Sequence, residues 1–304
     1  MDMRTRKVAV TEGVIAGTLF GTAAIFIRLM QSADAFYIAF WRLIIACAVL
    51  TAILAVARKL SYLNNVKGRI KDLLPLGIFL GLHLIFFVSA VKDTTILNAT
   101  VLVNTTPIFS MIVSNFAFKL KPSRLAILGL AISFIGVCVI GYAESTNVTQ
   151  SNASLAGTPS LKGDLEATLA AVVEAFYLNY GRKTRSQMSL LSIMIPIYLF
   201  AAFTVGVLSF PAGGKITTLT IDPNVLLPLL GLGILPTAIA HSLYFSSLSN
   251  LKSFETATMA LLEPIGATIL GIIVFAEIPD RWFVFGAALT VFGVFFVARE
   301  RLRK

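Results

Sequence analysis

Residues 259–268 read MALLEPIGAT, and they place a carboxylate and a proline side by side within a long apolar stretch. If this stretch crosses a membrane, a bare Glu263 facing lipid would cost at least ~2.5 kcal/mol, so we expect it to face a cavity or a polar partner. Pro264 lacks an N–H and clashes with the preceding turn, which loosens a helix and leaves a carbonyl unpaired. The stretch therefore predicts a helix that is weakened at its centre, beside a buried charge.

The composition around this stretch is that of a membrane protein. Of the 304 residues, 57% are hydrophobic and 13% are charged, and the mean hydropathy is +0.86, whereas a soluble domain carries about 25% charged residues. Apolar stretches of about 20 residues, the length that crosses a hydrocarbon core as a helix, recur through the chain. They predict an all-α membrane protein with ten transmembrane helices, at 10–30, 36–57, 72–91, 96–118, 123–142, 163–182, 189–210, 224–247, 254–275 and 281–298.

The basic residues are distributed unevenly between the predicted loops. Most of the 25 Lys and Arg residues fall on one side of the membrane if the N-terminus is cytoplasmic, so the positive-inside rule predicts both termini in the cytoplasm. Topology thus explains the net charge of +10, and we expect no nucleic-acid partner. The expected location is the lipid bilayer of a prokaryotic cell membrane, as an integral multi-pass protein.

The cysteines and the longest polar stretch point to no cofactor. Cys47 and Cys138 both lie in predicted membrane helices, where packing is their expected role, so neither a disulfide nor a metal site is predicted. The polar stretch 143–162 is expected to be an external loop. Its two acceptor triplets for N-glycosylation, at Asn147 and Asn152, also arise by chance in a loop rich in Ser, Thr and Asn, so modification of either stays open.

An internal repeat accounts for the position of Pro264. When the chain is shifted by 157 positions, residues 84–140 align with 241–297 without a gap. Matched prolines and glycines are informative because backbone geometry restricts their replacement. The matched pairs include Pro107 with Pro264, Ile108 with Ile265, Phe118 with Phe275, Pro122 with Pro279, Arg124 with Arg281, Gly129 with Gly286 and Gly136 with Gly293.

The repeat predicts two five-helix halves, residues 1–142 and 163–304, joined by the loop 143–162. Because five is odd, the second half must enter the membrane from the opposite side, so the repeats are inverted. The loop at 119–124 reads KLKPSR and its counterpart at 276–281 reads AEIPDR. This difference in charge is what opposite orientations predict, since only a cytoplasmic loop favours Lys and Arg.

Inverted repeats of membrane helices are typical of secondary transporters, whose binding sites lie near the bilayer midplane between the repeats. Ionisable residues inside predicted spans are candidates for such a site, because burying a charge is costly. Glu174 and Tyr177 share one face of the sixth helix, and the two histidines lie one position apart in the repeat alignment. The predicted solute-binding residues are His83, Asn98, Thr105, Thr106, Glu174, Tyr177, Tyr180, His241 and Glu263.

These candidates also have structural readings. Glu263 could hydrogen-bond backbone that Pro264 opens, and polar side chains of the fourth helix could bond between helices. Trp41 and Arg42, near the outer end of the second helix, are explained by an interfacial aromatic and a snorkelling arginine. A ridge of glycines on the first helix would let another helix approach closely. The predicted hinge and packing residues are Gly13, Gly17, Gly21, Pro107 and Pro264.

Two stretches carry a family resemblance: FFVSAVKDTTILNATVLVNTTPIFS at 86–110, and LYFSSLSNLKSFETATMALLEPIGAT at 243–268, the latter followed by Phe275-Ala276-Glu277. With the FWR at 40–42, the chain resembles the EamA family of the drug/metabolite transporter superfamily. It departs from the family pattern at 119–121, where Lys119 and Lys121 stand in place of a glutamate. The resemblance implies transport of small metabolites, amino acids or drugs, often outward, and a nearby branch resembles aromatic amino-acid exporters.

The leading hypothesis is a secondary carrier and not an enzyme. It would export small organic solutes such as amino acids or related metabolites by alternating access around a central cavity, with proton coupling left open. A channel would be expected to show a repeated filter or a charged ring, and an intramembrane enzyme a catalytic cluster such as HExxH or GxSxG. Neither pattern occurs in the sequence, and nor does a phosphate-binding GxxxxGK. We expect neither a cofactor nor a metal.

Overall fold

The computed structural model describes residues 5–151, 158–214, 216, 219, 222–275 and 281–299. These ranges are mostly helical and contain no β-strand. We number the long helices in chain order: α1 Arg6–Leu29, α2 Ala35–Val56, α3 Ile70–Asp93, α4 Ile96–Phe116, α5 Arg124–Ser151, α6 Leu161–Arg185, α7 Leu190–Ser209, α8 Pro223–Ser247, α9 253–275 and α10 Arg281–Ala298. A 3₁₀ helix at Leu60–Arg69 precedes α3.

Each predicted span falls on one of these helices, and eight of the helices in the described ranges are long and apolar enough to cross a membrane. The other two are α6 and α9. Helix α6 carries Glu166 and Glu174, and α9 is divided into three shorter pieces, Ser253–Met259, Ala260–Leu262 and Glu263–Phe275. That these two helices also cross the membrane, and that both termini are cytoplasmic, stays a prediction.

The predicted external loop 143–162 is shorter in the structure, because α5 continues as a helix to Ser151. Residues 143–151 contain neither Gly nor Pro, so nothing in this polar extension ends the helix. Asn147 therefore lies in α5. Asn152 and Glu277 lie outside the described residues.

Side-chain caps fix where several helices begin. The side chain of Asp34 accepts a hydrogen bond from the N–H of Tyr37 at 2.9 Å and starts α2. Thr95 caps α4 through the N–H of Asn98 at 3.0 Å. Such caps satisfy N–H groups that the first helical turn leaves unpaired. They give each helix a defined start at the edge of its apolar stretch.

Four helices are interrupted within their apolar stretches, and the smallest break is the single turn residue Gly21 in α1. Helix α4 breaks after Val103 and restarts at Thr106, one residue before Pro107. Helix α9 narrows to a 3₁₀ turn at Ala260–Leu262 and restarts at Glu263, one residue before Pro264. In α8 the segment Gly233–His241 is a π-helix. In α4 and α9, the matched prolines thus stand at the same point of a broken helix.

Helices α5 and α10 cross through glycines that are matched in the sequence repeat. A Cβ added at Gly129 would lie 2.7 Å from the main-chain oxygen of Gly293. A Cβ added at Gly136 would likewise lie 2.6 Å from the main-chain oxygen of Gly286. The earlier glycine of each helix meets the later glycine of the other, so the two helices run antiparallel. The repeat alignment exchanges these two contacts, which makes the crossing nearly two-fold symmetric.

Ser133 and Thr290 lie at the centre of this crossing. Their hydroxyls reach each other's main-chain oxygens, Ser133 Oγ to Thr290 O at 3.3 Å and Thr290 Oγ1 to Ser133 O at 3.5 Å. The two residues are 157 positions apart, so they are repeat-mates in contact with each other. If a two-fold axis relates the two predicted halves, it passes between these residues, because equivalent residues meet only on such an axis.

The glycine ridge of α1 packs against α9. A Cβ at Gly13 would lie 2.8 Å from Met259 Cγ, and one at Gly17 would collide with the main-chain oxygen of Met259. A Cβ at Gly21 would collide with the main-chain oxygen of Glu263. The ridge thus brings the first helix of one half against the broken helix of the other. The main apolar core joins α1 to α4 with α6 to α9, and the described residues of α5 and α10 lie outside it.

Candidate functional site

A cavity of about 40 Å³ lies where helices of both halves meet. One water needs roughly 10–15 Å³ on this measure, so the cavity has room for a few waters. Its wall comes from α1 to α4 in the first half and from α6, α8 and α9 in the second. The polar residues of the wall are Arg42, His83, Asn104, Thr106, Glu174, His241 and Glu263, and the aromatic ones include Phe20 and Phe87.

His83 and Thr106 both contact Glu174, which is buried on α6. Thr106 Oγ1 donates to Glu174 Oε2 at 3.1 Å, and His83 Nδ1 lies 3.7 Å from the same oxygen. His83 Nδ1 also lies 3.1 Å from the main-chain oxygen of Ala170, one turn earlier on α6. Helices α3 and α4 of the first half thus place two polar side chains around one carboxylate of the second half.

The break in α4 gives Glu263 its nearest polar partner. Asn104 ends the first part of α4, and its Nδ2 donates to Glu263 Oε2 at 3.5 Å. The same amide donates to the main-chain oxygen of Thr100 at 2.8 Å. A regular helix would turn Asn104 away from the face that Thr105 and Thr106 mark. The interruption before Pro107 therefore allows the side-chain amide of Asn104 to face the carboxylate of Glu263.

His241 lies across the cavity from His83. Their ring centroids are 6.1 Å apart, and the His241 ring packs edge-on against Phe20 at 4.8 Å. Nδ1 of His241 is buried without a hydrogen-bond partner among the described residues, as are the hydroxyls of Tyr177 and Tyr244. Unsatisfied buried polar atoms are costly, and of these three residues only His241 lines the cavity.

Arg42 is the one basic side chain of Lys or Arg type in the described cavity wall, and only 1% of it is exposed. Its Nε donates to Thr237 Oγ1 at 2.9 Å, and its Nη1 is buried without a partner in the part of the chain that the structure describes. The hydroxyl of Tyr198 donates to the main-chain oxygen of Thr237 at 2.7 Å. The interpretation of Arg42 as a snorkelling residue is wrong, because α7 and α8 cover this face of α2.

The structure brings together five of the predicted solute-binding residues on the cavity wall: His83, Thr106, Glu174, His241 and Glu263. Tyr177 is buried against Phe245, with ring centroids 5.4 Å apart. Three predicted residues lie elsewhere. Thr105 bonds the main-chain oxygen of Leu102, Asn98 bonds Asp164, and Tyr180 is 50% exposed beside Phe79.

Sequence reasoning missed three polar residues near the cavity: Arg42, Asn104 and Thr237. A buried Arg in a membrane span is itself a signal, but its position near a helix end favoured an interfacial reading. Nothing in the sequence marks Thr237, because its role depends on the π-helix around it. Among the described residues, His, Cys, Asp and Glu form no group of three or more that could hold a metal ion.

Polar contacts link the two predicted halves near both ends of the bundle. At one end Arg6 forms an ion pair with Glu255, with Nη2 to Oε1 at 2.7 Å and Nη1 to Oε2 at 3.1 Å, and Nη2 also donates to the main-chain oxygen of Ala298 at 3.1 Å. We call Arg6 and Glu255 the inner closure, after the predicted topology. It ties α1 of the first half to α9 and α10 of the second.

At the other end Asp164 accepts hydrogen bonds from Thr94 Oγ1 at 2.8 Å and from Asn98 Nδ2 at 3.1 Å. We call Thr94, Asn98 and Asp164 the outer closure. Beside it, the exposed Lys162, which precedes the predicted span, pairs with Asp93 at 2.7 Å, and this hydrogen bond raises the pKa of Lys162 above its usual value. The outer closure ties the start of α4 to the start of α6.

Comparisons with known proteins agree on one family. The model of the EamA-like transporter family matches residues 8–142 and 161–299. An uncharacterized transporter of Archaeoglobus fulgidus is 25% identical over 279 residues, 91% of this chain and 92% of its own length. The uncharacterized transporter YxxF of Bacillus subtilis is 23% identical over 305 residues, 97% of this chain and 90% of its own.

A solved crystal structure has the same fold, with a TM-score of 0.74 at 18% identity, over 96% of each chain. The resemblance that the two stretches at 86–110 and 243–268 carry is thereby confirmed at the level of the family. The protein is a multi-pass integral membrane protein with transporters as relatives. Most of its length is covered by the two matched regions, and the chain therefore belongs to the EamA-like transporter family.

Proposed function

We propose that this membrane transporter is a secondary carrier that exports small organic solutes, such as amino acids or related metabolites. In the proposed mechanism, two inverted five-helix repeats, residues 1–142 and 163–304, alternate access to the cavity between them, with both termini in the cytoplasm. Inverted repeats that surround a site at their interface are the usual architecture of such carriers. The antiparallel, two-fold crossing of α5 and α10 supports the inverted arrangement.

The observation that carries the proposal is the pairing of His83 and His241 across the cavity. Each histidine comes from the same helix of its repeat, α3 or α8, and each contacts the first helix of the other repeat. His83 meets Ala170 on α6, and His241 meets Phe20 on α1. A movement of one half against the other therefore changes both sides of the cavity at once, which is what alternating access requires.

The two closures support the same mechanism. Asn98 of the outer closure and Glu255 of the inner closure are repeat-mates in the alignment, and each bonds the first helix of the opposite half. Both closures are formed in this structure, and the cavity is smaller than an organic solute needs. Solute entry thus requires one closure to open while the other holds, a rigid-body rocking of the halves.

The proposed roles of the acids follow from their burial. Glu174 and Glu263 are each only 6% exposed, and their described hydrogen bonds come from the neutral groups of Thr106 and Asn104. A carboxyl group in this setting can bind the cationic group of a solute or take up a proton. We assign both roles to this pair, because a buried ionisable residue of a membrane helix is a candidate for a solute or proton pathway.

The experiment is uptake of labelled solutes into liposomes that contain the purified protein, with and without a pH gradient. The panel contains amino acids, amines and other small metabolites. We expect saturable uptake of one class, and a loss of about tenfold or more in Glu174→Gln or Glu263→Gln, which corresponds to about 1.4 kcal/mol and lies near the worth of one charged hydrogen bond. Efflux from preloaded cells that express the protein tests the direction.

Asp72→Asn is the matched control, because it removes a carboxylate whose ion pair with Arg69 is exposed. Normal uptake in this variant shows that loss of a carboxylate alone is not harmful. Unchanged uptake in both cavity variants would reduce Glu174 and Glu263 to packing residues. A flux that does not saturate for any solute would contradict a carrier and favour a channel.

A further inference from the structure

We propose that Arg42 and His241 form an anion-binding subsite of the cavity, which binds the carboxylate of the transported solute. The proposal rests on the carrier function proposed above and narrows its solute class to compounds that carry a carboxylate. The observations behind it are the unpaired donor of Arg42, the rigid support of its guanidinium, the neighbouring imidazole, and the arrangement of acids around the same cavity.

Arg42 is a buried cation without a charged partner in the described part of the chain. It is only 1% exposed, its Nη1 has no hydrogen-bond partner, and none of the ion pairs there includes it. The two acids of the cavity, Glu174 and Glu263, are bonded to Thr106 and Asn104 instead. A buried guanidinium is expensive unless it is paired. Arg42 lines the cavity, so an anion bound there would supply the pairing.

Helix α8 holds the guanidinium in a fixed orientation. Thr237 Oγ1 donates to the main-chain oxygen of Leu232 at 2.6 Å, which leaves its lone pair facing the Nε of Arg42. Gly233 lies against α2, where an added Cβ would come within 2.6 Å of Ile45. With Nε fixed on α8, the two terminal nitrogens form a planar fork, the geometry that binds a carboxylate through two parallel hydrogen bonds.

His241 provides the second polar group of the subsite. It follows Thr237 by one turn on α8 and borders the same cavity as Arg42. Phe20 packs against its ring, and its Nδ1 is buried without a described partner. An imidazole nitrogen that carries a proton is a hydrogen-bond donor. Arg42 and His241 thus bring an unpaired guanidinium nitrogen and an unpaired imidazole nitrogen from two helices to one small space, and Nδ1 of His241 is a donor in the tautomer that carries the proton there.

The acids of the cavity select against anions of higher charge. Glu174 and Glu263 border the same space as Arg42, and a dianion such as a phosphate monoester would be repelled by both when they are ionised. A carboxylate carries a single charge, and a solute that also has an amino group could place it against either acid. The cavity chemistry therefore fits a carboxylate better than a phosphate.

The test compares acids with their amides as competitors and as labelled solutes in liposomes that contain the full-length protein. The probes are the common L-amino acids, the corresponding amino acid amides, and amines that lack the carboxylate. With the wild-type protein we expect the amide to compete about tenfold or more weakly than the acid, because it removes the charged hydrogen bonds to Arg42. This comparison needs no variant, so it stands even if a substitution prevents folding.

The variants assign the preference to Arg42. We expect Arg42→Gln to reduce the ratio between acid and amide to nearly one, and Arg42→Lys to keep part of it. Thr237→Val removes only the group that orients Nε, and it should lower the ratio with less effect on folding. Arg58→Gln, which removes the same charge from an exposed residue just after α2, is the control and should leave the ratio unchanged.

The outcomes separate this proposal from the carrier function. Equal competition by acids and amides, or an unchanged ratio in Arg42→Gln, would overturn the subsite while leaving a carrier. Saturable transport restricted to amines or to other solutes without a carboxylate would do the same. An absence of saturable transport for every solute would overturn the carrier function, and the subsite with it.

Discussion

Asn179 joins α4 to α6 through a set of hydrogen bonds that a single substitution can remove. Its Nδ2 donates to the main-chain oxygen of Ser110 at 3.2 Å and to that of Ala175 at 2.8 Å, and its Oδ1 accepts from Ser114 Oγ at 2.6 Å. We predict that Asn179→Leu lowers the unfolding free energy by about 1–2 kcal/mol, because it leaves buried hydroxyls without partners.

The measurement is the midpoint of thermal unfolding of the purified protein in detergent. Asn115→Leu is the control, because Asn115 is on the same helix as Ser114 but only half-buried, with no side-chain hydrogen bond among the described contacts. Equal midpoints for the Asn179 and Asn115 variants would mean that the bonds of Asn179 add nothing to the stability of the α4–α6 contact.

Single residues also show what could be predicted from the sequence about the candidate site and what could not. The cost of an unpaired charge predicts that Glu263 has a polar partner, and the structure supplies Asn104. The identity of that partner could not be predicted, because the break before Pro107 rotates Asn104 onto a different face. Arg42 was misread for a similar reason, since only the packing of α7 and α8 decides whether a residue near a helix end is covered.

At the scale of elements, the contact of α1 with α9 depends on the absence of side chains along the ridge. A methyl group at Gly17 would collide with the main chain of Met259, which has no room to move without shifting the helix. We predict that Gly17→Ala destabilises the protein by about 1–3 kcal/mol, the usual cost of overpacking. The readout is again the thermal midpoint, together with the rate of solute uptake.

Gly206→Ala on α7 is the matched control for this substitution. The nearest atoms to an added Cβ there are 3.7 Å away, an ordinary contact distance. Because Ala favours a helix over Gly by roughly 0.5–1 kcal/mol, Gly206→Ala should be neutral or stabilising. A Gly17 variant as stable as this control would show that α1 can move away from α9 at no cost.

The helices themselves were easier to predict than their irregularities. Apolar stretches bounded by polar residues and capping side chains such as Asp34 give a helix its limits from local sequence alone. The π-helix at Gly233–His241 has no such local signal, since Pro236 alone would also fit a simple kink. Its wider turn sets the faces on which Thr237 and His241 lie. Sequence reasoning identified His241 from its ionisable side chain and its place in the repeat, and Thr237 offers no such signal.

At the scale of the whole molecule, the inner closure can be weakened without touching the cavity. We predict that Glu255→Gln raises the population open to the cytoplasm, because it removes the charge that holds Arg6. A change of about 1 kcal/mol corresponds to roughly fivefold in population. The measurement is the rate at which a membrane-impermeant maleimide, added from the cytoplasmic side, labels Ala260→Cys in a background with Cys47→Ser and Cys138→Ser.

Asp72→Asn is the control here too, since its ion pair with Arg69 is exposed and includes no residue of either closure. We expect it to leave the labelling rate unchanged. If Glu255→Gln labels at the same rate as this control, the ion pair of Arg6 and Glu255 does not hold the inner end closed, and another contact must be sought for that role.

The sequence predicts two halves, because matched prolines and glycines occur in both copies at a spacing free of gaps, and this division stays a prediction. What the alignment could not give is how the copies meet. The contact between Ser133 and Thr290 arises only after both helices have packed. The cavity likewise depends on side chains from seven helices that no local pattern connects.

The crossing of α5 and α10 has a thermodynamic consequence for the proposed cycle. In that cycle, inward-open and outward-open states differ by an exchange of the conformations of the two halves. This exchange leaves the contact between Ser133 and Thr290 in place, because it swaps two residues that already contact each other. The contact therefore has nearly the same energy in both states and favours neither. The resting equilibrium is therefore set by positions at which the mates differ, above all the amide of Asn98 and the carboxylate of Glu255.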